Sequence, residues 1–265
     1  ARDQQKPFYV NLWPDDVHSP FWPPVDQWAD GKRGLYLSVL QEMDRQLGKL
    51  FDVIRGDEQL RNNTLVLVCS DNGPEQGAGT AGPFRGFKTH LFEGGIRSPL
   101  IAWGPGLLDP GKKGSVNNDS VFSAIDLVPS LLQLAGVETP GEVGFDGEPL
   151  ADVLLGKSKA SRQKPLFFRR PPDRDSFYGV QDLPDLAIRK GKWKLLCEYD
   201  GEDAQLFDLS QDPSESMNLA KANPGIVSDL KRRVVAWHAT MPADNGATYR
   251  EPPRKKPKPR PKTNG

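Results

Sequence analysis

Residues 64–106 read TLVLVCSDNGPEQGAGTAGPFRGFKTHLFEGGIRSPLIAWGPG, and the rest of the chain is organised around them. The stretch opens with Leu65-Val66-Leu67-Val68-Cys69. A short Val-rich run bounded by polar residues predicts a strand buried on both faces, as in parallel sheets. It stops at Ser70-Asp71-Asn72-Gly73. Open α/β folds place their ligands just past the carboxyl ends of such strands. Asp71 and Asn72 both offer hard oxygen atoms, which suit Ca²⁺ or Mg²⁺, although the same pair also suits a plain turn. A Gly-rich loop, the segment Phe87 to Pro99 and a second apolar run, Leu100 to Trp103, complete the unit.

The flanks extend this pattern. Pro7 to Trp13, PFYVNLW, is aromatic and β-branched and predicts another buried strand, followed by a Pro-rich loop carrying His18. From Gly31 to Gly56, Tyr36, Leu40, Met43, Leu47, Leu50, Phe51 and Ile54 recur at helical spacing and give one apolar face. Strand, helix, strand is a crossover unit, so the sheet is expected to be mostly parallel. Residues 123–135 predict a helix stopped by Gly136 and kinked or broken at Pro129. From Pro165 onward the texture changes to short strands. These are Leu166 to Phe168, Leu186 to Arg189, Trp193 to Cys197 and Gln205 to Leu209, with Gly191 marking a hairpin. Ile226 to Trp237 predicts a last amphipathic helix, with Asn223 as cap and Pro224 in its first position.

Ser-Asp-Asn-Gly, the Gly-rich loop, Gly-x-Lys, Glu-Gly-Gly-Ile-Arg-x-Pro-Leu-Ile and Trp-Gly-Pro-Gly occur here in that order, and the series resembles the sulfatases. Within that family it is most similar to bacterial arylsulfatases of the N-acetylgalactosamine-6-sulfatase-like group. Further matches are Asp126-Leu-x-Pro-Ser-Leu-Leu, Phe145-Asp146-Gly147 and the run Leu206 to Ala220. The resemblance implies an alkaline-phosphatase-like α/β fold with a mostly parallel sheet flanked by helices. It also implies a small C-terminal antiparallel sheet plus helix. Residues 1–162 would be the C-terminal part of the catalytic domain, 163–245 a small α+β subdomain and 246–265 a basic, Pro-rich disordered tail.

The resemblance also implies a chemistry: hydrolysis of aryl or sugar sulfate monoesters by a formylglycine nucleophile beside one Ca²⁺ ion. Asp71 and Asn72 correspond to two metal ligands. Lys88 corresponds to the lysine on a sulfate oxygen. His18, in His-Ser-Pro, corresponds to the histidine near the bridging oxygen, although Val17 stands where the family has Pro. His90 has no fixed role; lining the substrate mouth and lying on a surface loop are both open. Asp126 reads as structural. Neither Cys69 nor Cys197 sits in a Cys/Ser-x-Pro-x-Arg motif, and no Ser does. The expectation is therefore a piece of a sulfatase, inactive alone, with the remaining Ca²⁺ ligands in a missing N-terminal part. By family the setting is periplasmic or extracellular.

Composition bounds the alternatives. Formal net charge is zero, so no global field points to nucleic acid. No apolar run approaches the ~20 residues of a membrane span. The three histidines, His18, His90 and His238, are too few for the two-metal sites of phosphodiesterases or phosphoglycerate mutases of the same superfamily. A sulfated-glycan-binding protein that kept the pocket and lost the nucleophile is the alternative from a different class.

Overall fold

The computed structural model describes residues 6–139, 141–170 and 183–242. The apolar run forms strand β1 (Val66–Cys69), and its partner is β2 (Leu100–Trp103). They pair antiparallel, Val66 opposite Trp103 and Cys69 opposite Leu100. The expected crossover concerns residues 7–13 and β1, not this pair. The chain between them returns to the end of the sheet that β1 leaves, which is the antiparallel sense. Burial is less than expected. Val68 is 39% and Ile101 58% exposed, because each strand has a single partner among the described residues. Phe8 to Trp13 is not a strand: the run is exposed, and nothing among the described residues pairs with its backbone.

Helix α1 (Gly31–Gly56) has the bounds read from its periodicity. Asp57 ends it and caps α2 (Glu58–Asn63) by accepting the Leu60 N–H, and α2 leads into β1. Val39 of α1 packs with Phe21 and Ala78, flanked by Val17, Leu35 and Tyr36. A one-turn helix, α3 (Glu93–Ile96), precedes β2.

Residues 124–126 form a 3₁₀ turn that runs into α4 (Leu127–Ala135), closed by Gly136 at φ 66°. Pro129 does not break this helix. It lies in the first turn, where N–H groups have no intrahelical partner to lose. Asp126 is fully buried, ion-paired to Arg162, and accepts the N–H groups of Ser123 and Glu148, so its role is structural. A short helix, α5 (Ala151–Leu154), follows.

The C-terminal sheet is antiparallel, in the order β3 (Leu166–Arg169), β4 (Leu186–Lys190), β5 (Trp193–Cys197), β6 (Gln205–Asp208). Gly191 at φ 58° opens the two-residue β4–β5 turn. Helix α6 (Pro224–Thr240) covers one face, where Leu230 and Val234 meet Leu186, Ile188, Leu195 and Leu206. The alternate residues Ala187, Leu196 and Phe207 face the other way, onto Leu91 and Phe92 of the decisive stretch. Asn223 is the cap position, but its side chain bonds the Leu219 carbonyl instead of the helix. The protein is thus mixed α/β with a small antiparallel C-terminal sheet and helix. The tail at residues 246–265 lies outside the described residues. Among the described residues, no helix is long and apolar enough to cross a membrane.

Candidate functional site

Three backbone segments cross at α3. The Gly73 N–H donates to the Gly95 carbonyl at 2.8 Å, and the Gly94 N–H to the Arg85 carbonyl at 2.7 Å. The Lys88 N–H donates to the Pro74 carbonyl at 2.9 Å. The loop carrying Asp71 and Asn72 and the loop carrying Lys88 and His90 are therefore fastened to each other and to α3. Only glycine permits such contact. A β-carbon at Gly95 would sit 2.1 Å from the His90 carbonyl oxygen, and one at Gly94 would sit 2.4 Å from that of Gly86. A β-carbon at Gly73 would meet the Gly94 oxygen at 1.8 Å. The glycines of Asn-Gly and Glu-Gly-Gly are thus a packing requirement.

The sequence-derived residues fall on this crossing as follows. Asp71 is exposed and Asn72 half-buried, just past β1. Lys88 is half-buried, and its ammonium makes no ion pair among the described residues. Thr89, next to it, is held at φ 81°, a strained backbone for a β-branched residue. His90 is buried, 8% exposed. Its ring stacks on Phe87 at 4.0 Å, and Nε2 is buried without a hydrogen bond among the described residues. Burial, then the charges of Arg170 and Arg85, push the His90 imidazole below its ordinary pKa. It is accordingly neutral near pH 7.

His18 arrives from a separate loop, held on both sides because Val17 and Phe21 pack against α1 and Ala78. The ring is exposed, and Nδ1 lies 2.8 Å from the Ser19 carbonyl oxygen. A carbonyl only accepts, so Nδ1 carries the hydrogen and Nε2 is left to exchange a proton.

Glu75 ties this loop to the crossing, and the sequence reading missed it. Its carboxylate pairs with Lys32 of α1 at 2.7 Å and hydrogen-bonds to the Ser19 hydroxyl. Burial acts to raise the Glu75 carboxyl, yet Lys32, Ser19 and the charge of Lys88 together hold it below its usual range. Glu75 therefore lies within electrostatic reach of both His18-Ser19 and Lys88. The signal was the Pro-Glu that directly follows Ser-Asp-Asn-Gly.

Behind the crossing lies a buried charge cluster, also missed. Lys194 Nζ is 2.9 Å from Glu93 Oε1 and 2.8 Å from Glu215 Oε1, and all three residues are at most 1% exposed. Glu215 Oε2 accepts the Glu93 N–H at 2.5 Å. The signal for Lys194 was a lone lysine in the apolar strand Trp-Lys-Leu-Leu-Cys, on the face shared with Leu196.

Asp71 and Asn72 are the side chains here that could offer oxygen to a cation. An exposed carboxylate beside an amide oxygen fits a hard ion, and neither side chain is engaged elsewhere among the described residues. They fit as part of a site: Ca²⁺ takes six to eight oxygens. No group of three or more His, Cys, Asp or Glu among the described residues is arranged to hold a metal.

Comparison with known proteins matches residues 1–137 to the sulfatase family model and residues 82–239 to that of the N-sulphoglucosamine sulphohydrolase C-terminal region. The chain is 32% identical to human arylsulfatase A over 261 residues, covering 88% of this chain and 49% of that protein. It is 31% identical to an N-acetylgalactosamine-6-O-sulfatase of Bacteroides thetaiotaomicron, covering 86% and 46%. Among solved structures it is similar to Ps i-CgsB, with TM-score 0.69, 26% identity, and 83% and 48% of the two chains covered. The same protein has been solved in complex with k-i-k-neocarrahexaose. The chain spans about half the length of these relatives.

Proposed function

The chain belongs to the sulfatase family, and from that premise we propose that it builds part of the active site of a sulfate monoester hydrolase acting on aryl or sugar sulfates. The observation that carries this reading is the crossing at α3, which fastens the Asp71-Asn72 loop and the Lys88 loop to one another through the Gly73–Gly95 and Lys88–Pro74 hydrogen bonds. Anion-binding and cation-binding side chains on one rigid junction are what charge stabilisation of a sulfate ester requires.

In this reading the Lys88 ammonium holds a sulfate oxygen. Its partial burial strengthens that attraction, since water screens it less. His18 Nε2 delivers a proton to the bridging oxygen as the ester bond breaks, with Nδ1–H anchored on the Ser19 carbonyl. Glu75 steadies Ser19 and, with it, the His18 loop. Asp71 and Asn72 would hold Ca²⁺, which when bound supplies positive charge beside the sulfate. His90, buried against Phe87 two residues beyond Lys88, does not itself reach into open solvent. The nucleophile, a formylglycine, lies outside these residues in this proposal, because none of the 265 belongs to a Cys/Ser-x-Pro-x-Arg motif. The division into 1–162 and 163–245 belongs to the same proposal.

The test is hydrolysis of an aryl sulfate by the protein as its gene encodes it. Turnover abolished in Lys88→Ala is the expected result. Turnover by the 265-residue chain alone, lost in Lys88→Ala, would overturn the placement of the nucleophile. Saturable binding of a sulfated oligosaccharide with no turnover would replace the enzyme reading by a glycan-binding one.

A further inference from the structure

We propose that Lys194 and Glu215 of the C-terminal region position the candidate site, acting through Glu93. Glu93 is the first residue of α3, and α3 is where the two site loops are fastened. Its backbone N–H is bonded by the Glu215 carboxylate, and its own carboxylate is bonded by Lys194 at 2.9 Å. Arg97 and Arg189 stand 3.6 Å from its other oxygen. Both ends of Glu93 are therefore fixed by side chains from β5 and from the loop after β6, far away in sequence.

The geometry argues for more than generic stability. Glu215 is held at φ 54°, a backbone that a non-glycine residue adopts only when its surroundings impose it. That turn aims its carboxylate at the Glu93 amide. Lys194 comes from the strand face that Leu196 shares, and Arg189 is its cross-strand partner. Two cations of the sheet, Lys194 and Arg189, thus converge on one residue of the site segment. Arg85, on the Lys88 loop, adds a contact from its guanidinium to the Glu215 carbonyl at 3.4 Å.

The chain of contacts is short. Glu93 sets Gly94 and Gly95; Gly95 holds Gly73, two residues from Asp71; Gly94 holds Arg85, three residues from Lys88. Removing Lys194 leaves the buried Glu215 carboxylate unpaired beside Glu93, whose own charge then rests on Arg97 and Arg189 alone, and the contact that holds the Glu93 N–H is strained. Displacements on the scale of 1 Å at a site cost on the order of 100-fold in turnover.

The experiment compares Lys194→Met and the charge-balanced Lys194→Met/Glu215→Gln in the protein as its gene encodes it. The Glu215→Gln change keeps an oxygen for the Glu93 N–H and removes the unpaired charge. The first readout is hydrogen exchange at the amides of Gly73, Lys88, Glu93 and Gly94. Lys194→Met is expected to speed these by about tenfold more than the amides of the β3–β4 ladder. The double variant is expected to restore them to near the parent rate. The second readout is aryl sulfate kinetics, with kcat falling more than KM rises in Lys194→Met and recovering in the double variant.

The kinetic readout rests on the proposed activity; the exchange readout does not. A parent protein without sulfatase activity that still shows the selective exchange pattern would remove the function and keep the positioning role. A uniform rise in exchange over the whole chain, or site amides that stay fast in the double variant, would overturn the positioning role. If Lys194→Met does not fold, Glu215→Ala, which frees the Glu93 N–H, takes its place: selective speeding of the site amides is expected, and site amides exchanging no faster than those of the β3–β4 ladder would overturn the positioning role.

Discussion

At the residue scale, the proposed roles separate by how each variant responds. Lys88→Ala removes charge from the point where the sulfate oxygen would sit, a loss of about 3–4 kcal/mol of transition-state stabilisation that added metal does not restore. Asp71→Ala also lowers activity by orders of magnitude, but its defect should shrink at high Ca²⁺, because the lost ligand weakens binding of the ion. His18→Ala should hurt an alkyl sugar sulfate more than a nitrophenyl sulfate, since an alkoxide needs the proton more. Equal losses on both substrates would make His18 a binding or structural residue instead. Titration gives a further prediction away from the site. Burial first, then hydrogen bonding and repulsion from Asp185, push the Glu198 carboxyl up to about 7. A carboxyl raised on folding contributes stability that is complete below its unfolded pKa and is lost as pH rises through the folded one. The melting temperature should therefore carry a component that declines between about pH 4.5 and 7, and Glu198→Gln should remove that component. A Glu198→Gln protein with an unchanged pH profile would show that Glu198 does not titrate as described.

At the element scale, the crossing at α3 explains which motifs could be read and which could not. Gly94 and Gly95 were visible as a motif, but their reason is a contact with residues 85–90 that no local pattern contains. Gly95→Ala should destabilise the protein by about 3 kcal/mol, since the new β-carbon meets backbone rather than a movable side chain. Calorimetry showing a near-neutral Gly95→Ala would mean the segments are not this close. In the same way Arg162→Met should cost about 3–5 kcal/mol, because Asp126 is left buried with its charge unpaired. Elements whose identity rests on local periodicity came through: α1, the four C-terminal strands, the Gly191 turn and α6. Those that rest on long-range pairing did not. Strand propensity measures fit to a pleated, half-buried surface. Phe8 to Trp13 has the composition but no partner among the described residues, and the direction of β2 against β1 is set by the path of the intervening loops. The Lys194–Glu93–Glu215 cluster joins residues more than a hundred apart, so only its odd lysine was a clue.

At the scale of the whole molecule, the two halves of the described structure differ in how well they are covered. The C-terminal sheet has α6 on one face and Leu91 and Phe92 on the other, and Ala187, Leu196 and Leu206 are fully buried. The β1–β2 pair has no such cover: Val68, Leu100 and Ile101 are exposed, as are Leu37, Leu50 and Val53 of α1 and the run from Phe8 to Trp13. Exposed apolar surface on this scale and unpaired strand edges both favour association with other chains. The 265-residue chain, purified alone, should therefore self-associate or bind hydrophobic dyes through this region while the C-terminal sheet stays ordered. Hydrogen exchange should show it directly, with amides of β4 and β5 protected and those of β1 and β2 exchanging orders of magnitude faster. Sedimentation should give a mass above the monomer, and adding charge at the exposed positions, as in Ile101→Lys, should lower it. A monomeric chain with a single sharp melt and equal protection in both sheets would show that β1 and β2 are stable uncovered, and that the apolar surface they present is tolerated rather than buried elsewhere.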